Sequence, residues 1–171
     1  NGSPQVFDTG QVLIGLNYMF KNLKDDKIID SINKASSWLV QSQERNGSWV
    51  KNSYNNRPHA YYSRVAAALL EAGQICENQE YIDASIRNLN WTLDQRNLNG
   101  YFKYSEFKPG EDAILHTIVY VLEGFSMAYD LTKDQKWLNT LTEGADCLMS
   151  HLNPDGLMYS QYNPEWKATN K

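Results

Sequence analysis

Residues Trp38 to Trp49 read WLVQSQERNGSW, and the chain returns to this pattern twice. An aromatic residue closes a helical segment, polar residues follow, Asn-Gly turns the chain, and a second aromatic ends the unit. Trp91 to Phe102 repeats it as WTLDQRNLNGYF, and Cys147 to Met158 repeats it more loosely as CLMSHLNPDGLM. The turn glycines Gly47, Gly100 and Gly156 stand 53 and 56 residues apart, and in the first two copies Trp and Gly are 9 residues apart. A period of that length fits one helix pair plus a long loop.

Working outward from these turns, apolar spacing of 3.6 residues predicts six helices. The first covers about Gly10 to Asn22, with Val12, Leu13, Leu16, Met19 and Phe20 on its apolar face and Asp8 or Thr9 as its cap. The second covers about Lys27 to Gln43. The third and fourth cover about Tyr61 to Ile75 and Gln79 to Gln95. The fifth, about Ala113 to Tyr129, is almost continuously apolar from Ile114 to Leu122 and is expected to be buried on most sides. Asp112 reads as its cap. The sixth covers about Asp134 to Leu152. The fold class is therefore all-α, with three antiparallel hairpins at about 10–47, 61–100 and 113–156 in a single domain. Strand signals are confined to the loops, where the alternation of Tyr101, Lys103 and Ser105 suits a small hairpin. The polar end of the tail reads as frayed.

Composition bounds the function. A net charge of −4 gives no basic face for nucleic acid. No apolar run approaches the ~20 residues of a membrane span. We read a soluble, cytoplasmic chain, either processed or cut from something longer, because position 1 is Asn and no signal-like segment follows. Cys76 and Cys147 lie on apolar helical faces and read as buried thiols. Five Trp and eleven Tyr are many for 171 residues. Such side chains line sugar clefts, but they also fill cores.

In each hairpin the second helix carries more charge, as with Lys27, Asp30 and Lys34, or Asp83, Arg87 and Asp94. First helices therefore belong to an inner layer and second helices to an outer one. Stacked around an axis, such pairs give an α/α toroid; stacked along one, a solenoid. Variable periods and long loops at one end favour a toroid with a functional mouth.

A resemblance rests on named residues. Pro4 to Leu13, reading PQVFDTGQVL, opens one inner helix. Trp38-Leu39 with Asn46 to Trp49, Pro58-His59 with Tyr61, Ser63 and Arg64, and His116-Thr117 with Tyr120 complete the pattern. Together they resemble the middle portion of the six-hairpin (α/α)6-toroid proteins related to glycoside hydrolases, polysaccharide lyases and sugar epimerases. More narrowly they resemble a bacterial group met among polysaccharide-biosynthesis genes and sometimes labelled delta-aminolevulinic acid dehydratase. That label implies a lysine-dependent barrel, and no strand–helix alternation here supports one. The resembling proteins have six hairpins and this chain has three. Either the chain is a portion of a longer protein, or it is a half-toroid that pairs with a second copy through exposed hairpin faces.

In a toroid the starts of the inner helices surround the mouth, where free backbone donors also gather. Asp8 and Gln11, then His59, Tyr61 and Arg64, then His116, Thr117 and Tyr120 fall there. Asp8 suits a general acid or base, or a helix cap. His59 suits sugar binding or a loop role. Arg64 suits a bidentate clamp on a uronate carboxylate. His116 is the first candidate for a proton carrier and otherwise a core histidine. Tyr61, Tyr62 and Tyr120 suit stacking on sugar or simple packing. Glu106, Glu111 and Asp112 make an acidic loop, with Glu106 a candidate sugar contact.

Other chemistries find little support. The Gln-Trp pattern resembles triterpene cyclases, but Asp25-Asp26 sits in a turn away from the mouth. Two cysteines and three histidines at these spacings show no zinc site, so no metal and no cofactor are expected. No phosphate-loop or dinucleotide fingerprint occurs. The resemblance implies a carbohydrate-acting protein with a glycan or sugar partner, of hydrolase, lyase or epimerase type. The alternative is a non-catalytic helical scaffold or binding module.

Overall fold

A computed structural model describes residues 2–169. It is all-α, with helices α1 (Val6–Leu23), α2 (Asp26–Gln41), α3 (Ser63–Ile75), α4 (Gln79–Asp94), α5 (Leu115–Thr132) and α6 (Gln135–Ser150). A two-residue pair, β1 (Ala113–Ile114) with β2 (Gln161–Tyr162), is antiparallel. No helix among the described residues is long and apolar enough to cross a membrane. The architecture has no place for the alternating barrel that the dehydratase label implies.

The three repeat turns are built alike. Asn46 Oδ1 accepts from the Ser48 amide at 3.0 Å. Asn99 Oδ1 accepts from the Tyr101 amide, and Asp155 Oδ1 from the Leu157 amide, each at 3.1 Å. The glycine between them takes a φ of +91°, +82° and +83° in turn, a region that side-chain-bearing residues avoid. The opposite ends of the hairpins match too. Lys24, Glu77 and Lys133 are left-handed, and the next residue, Asp25, Asn78 or Asp134, caps the second helix by accepting from a backbone amide two residues on.

Helices α1, α3 and α5 pack side by side as the inner layer, and α2, α4 and α6 back them. The middle helix, α3, is made of small buried residues, Ala66, Ala67, Ala68, Ala72 and Gly73, so both neighbours come close. On α1 the close approach is at Gly10, where an added Cβ would stand 2.5 Å from Val65. On α5 it is at Gly124, where one would stand 2.4 Å from the Ser63 backbone. Trp49 and Trp137 are fully buried, and the Trp49 indole donates to the Leu39 carbonyl at 2.9 Å. The first copy's aromatic terminus is thus a wedge between its own helix and the next hairpin.

Several expectations are corrected. Helix α1 begins at Val6, so Asp8 lies in its first turn and neither Asp8 nor Thr9 caps it. The Val6 amide instead donates to Asn52 of the following loop. Helix α5 begins at Leu115 because Ala113 and Ile114 pair with β2, and Asp112 is not its cap. Its surface is less buried than its apolarity suggests: His116 is exposed and Tyr120 half-buried. Val12 and Met19 of α1 are exposed rather than on a core face. The Tyr101–Ser105 alternation forms no strand; Phe102 makes a single bridge to Arg96. Both thiols are half-buried, and Cys76 sits just past the end of α3. In the tail, Tyr162 and Trp166 pack on Tyr101 as a small second core. The fraying expected at Asn170 and Lys171 lies outside the described residues.

Candidate functional site

The two long loops after Gly47 and Gly100 are tied to each other at the same end of the helix layer. The Ala60 amide donates to the Tyr104 carbonyl at 2.9 Å, and Asn55 Nδ2 donates to the Phe107 carbonyl at 3.2 Å. Arg57 Nη2 pairs with Glu106 Oε1 at 2.8 Å, both side chains mostly buried. Thr117 Oγ1, at the start of α5, is 2.7 Å from the Ser105 carbonyl. These bonds hold Tyr54 and Phe107 above the starts of α1, α3 and α5.

A cleft of about 360 Å³ results. Its aromatic walls are Phe7, Tyr54, Tyr61, Tyr62, Phe107 and Tyr120, with polar groups from Gln5, Asp8, His116 and Thr117. Phe7 contacts Tyr61 edge-on at 5.7 Å and stacks on Tyr120 at 5.9 Å between centroids. Such offset and edge contacts give stiff walls. Asp8 is exposed, and it forms no hydrogen bond or ion pair among the described residues. His116 is exposed, and its ring meets only aromatic rings, Phe107 at 6.2 Å and Tyr120 at 5.6 Å. A carboxylate and an imidazole thus enter one aromatic cleft from the first turns of α1 and α5, both uncommitted.

Behind the wall the groups are committed. His59 is buried, and its Nε2 donates to the Tyr54 carbonyl at 2.9 Å. Burial pulls its pKa below the ordinary 6.5, partly offset by that hydrogen bond. Burial also pushes the Tyr61 phenol far up and the Tyr62 phenol up, with the nearby Asp8 charge adding to the latter. Both hydroxyls are therefore donors or acceptors and not bases near neutral pH.

The sequence candidates thus separate. Asp8, Tyr61, His116 and Tyr120 come together in the cleft. His59 supports it from behind. Arg64 lies beside it, with its guanidinium 4.6 Å from the Tyr120 ring centroid and its Nη1 2.6 Å from Glu123 Oε2. Gln11 is half-buried on α1 and does not line the cleft. Glu106 is held by Arg57 and borders a separate depression with Tyr104, Glu111 and Asp112. Phe107, Tyr54 and Gln5 line the cleft without having been singled out as site residues. The positions of Phe107 and Tyr54 depend on loop conformation, and only the length of the two loops pointed there, whereas Gln5 stands immediately before α1. Among the described residues no group of three or more His, Cys, Asp or Glu is placed to hold a metal ion.

No family model matches the chain, and no curated protein matches it. Solved structures do. A cellobiose 2-epimerase from Bacillus thermoamylovorans is similar at a TM-score of 0.79 and 17% identity, over 96% of this chain and 50% of that one. An unsaturated glucuronyl hydrolase specific for heparin is similar at 0.75 and 17%, over 90% and 48%. A GH76 alpha-mannanase from Bacteroides thetaiotaomicron is similar at 0.77 and 12%, over 100% and 48%. The chain spans about half the length of each. At these identities the likeness shows the fold: three antiparallel helical hairpins forming part of an α/α toroid.

Proposed function

We propose that the cleft is a sugar site, and that the chain is carbohydrate-acting through proton transfer by His116 and Asp8. One observation carries this reading: the two groups enter the same aromatic cleft, and among the described residues neither forms a hydrogen bond or ion pair. Aromatic faces stack on the apolar face of a pyranose ring, while an open carboxylate accepts from its hydroxyls. An imidazole is suited to take and return a proton at carbon.

Among the described residues Asp8 is the one carboxylate lining this cleft, and Glu106 is bound to Arg57 elsewhere. Two-carboxylate glycoside hydrolysis is therefore not assembled from these hairpins alone. The carboxylate–imidazole pair favours an epimerase, isomerase or lyase type of reaction, in which a base removes a proton next to a carbonyl or carboxyl group. The solved structures of the same fold include enzymes described as sugar epimerases or isomerases, for cellobiose and for D-mannose, beside a glucuronyl hydrolase and an alpha-mannanase.

The test is calorimetric titration of the chain with neutral and acidic disaccharides, repeated on Asp8→Asn and His116→Ala. Sugar binding that weakens in both variants supports the reading. Binding unchanged in both would overturn the site. A chain that binds no sugar would favour the helical scaffold.

A further inference from the structure

Resting on the sugar-site reading, we infer that the cleft takes an uncharged sugar ring rather than a uronate, and that Glu123 is the residue that sets this specificity. Recognition of a sugar carboxylate is strongest where a cation can reach it. Two arginines lie near the cleft, and each is already matched to a carboxylate. Arg57 is held by Glu106, with both side chains 15% exposed. Arg64, the one arginine on an inner helix beside the cleft, is held by Glu123 at 2.6 Å.

The geometry around Arg64 makes the second match decisive. Its guanidinium lies over the ring of Tyr120, which lines the cleft, while Arg64 itself does not. Glu123 follows Tyr120 by three residues on α5, so the two side chains share one helix face and bracket the arginine. The guanidinium is thus held by a carboxylate seven residues past His116 on α5. Among the described residues no lysine or arginine lines the cleft itself. Its formally charged lining group is Asp8, which opposes a second negative charge. A neutral ring meets none of this: it stacks on the aromatic walls and donates hydroxyls to Asp8.

Glu123 is therefore a specificity-determining residue that touches no substrate. The side chain is 44% exposed, so replacing it leaves the packed layer intact. Glu123→Gln keeps shape and hydrogen bonding but releases the arginine's charge toward the cleft.

The experiment titrates the chain and its Glu123→Gln variant with cellobiose and with the same disaccharide carrying a C6 carboxylate, and follows folding by circular dichroism. The parent is expected to bind the neutral sugar at least about tenfold more tightly, since like-charge juxtaposition suppresses the acidic one. The variant is expected to narrow that ratio by gaining affinity for the uronate, and high salt is expected to erase the gain. Equal or tighter uronate binding by the parent overturns this inference and leaves the sugar site standing. An unchanged ratio in a folded variant overturns the role of Glu123. Binding of neither sugar overturns the sugar-site reading itself.

Discussion

The His59 imidazole stacks on Tyr61, with ring centroids 4.7 Å apart and planes 27° apart. One ring lines the cleft and the other braces it from behind. Nε2 of His59 also holds the Tyr54 carbonyl, so the loop and the wall meet at one side chain. Burial keeps that side chain neutral, with a pKa below 6.5 in the fold. The unfolded chain then binds more protons on acidification. The stability His59 contributes is fully present above about 6.5 and is lost as the pH falls through its lower folded value. His59→Gln is predicted to flatten this part of the pH profile. Urea unfolding of parent and variant at pH 7.5 and 5.0 checks it, because other groups cancel in the difference. An equal slope in both proteins contradicts the assignment.

Close packing of the inner layer gives a second expectation. Gly124→Ala drives a methyl group into the Ser63 backbone, which cannot yield as a flexible side chain would. A loss of about 1–3 kcal/mol is predicted, the usual cost of overpacking. Gly15→Ala on α1 is the control, since nothing stands within 4 Å of its added carbon. There, helix propensity alone predicts a gain of about 0.5–1 kcal/mol. Denaturant midpoints of the two variants should move in opposite directions.

The Arg57–Glu106 pair serves the loops and not the substrate. Glu106→Ala leaves a mostly buried guanidinium without its partner. A destabilisation of about 1–3 kcal/mol is predicted, the cost of leaving a buried polar group unsatisfied. Sugar affinity should fall only as far as Phe107 and Tyr54 lose their positions. A double variant that also removes Arg57 should recover part of the stability, since no unpaired charge remains. Thermal unfolding of the single and double variants measures this, and no recovery would contradict it.

The hairpin architecture was legible because local chemistry repeats. Asn46, Asn99 and Asp155 make the same turn with a following glycine, and Asp25, Asn78 and Asp134 make the same cap. These are interactions within a few residues, so sequence spacing carries them. The same phase put the starts of the inner helices within a few residues, near Asp8, Tyr61, His116 and Tyr120. Where a side chain points is decided by partners far along the chain, and there sequence reading stopped. Arg64 turns to Glu123, Glu106 turns to Arg57, and His59 turns inward to Tyr54. The loop residues Phe107 and Tyr54 depend on left-handed positions at Asn52, Asn55, Asn56 and Tyr104, which no periodicity marks. The start of α1 moved for a similar reason, since its first amide bonds to Asn52 of the next loop.

We propose that Asp8 and His116 act together on a sugar in one aromatic cleft. The most direct measurement is the binding of cellobiose to the parent chain, to Asp8→Asn, to His116→Ala and to the double variant, by calorimetry on folded protein. A hydrogen bond to a carboxylate contributes about 1.5–3 kcal/mol and an ordinary one about 0.5–1.5 kcal/mol, so Asp8→Asn should lose about tenfold or more in affinity and His116→Ala about two- to tenfold. If both groups contact one bound ring, the double variant should lose less than the product of the single losses. Binding that is the same in all four proteins would contradict the account.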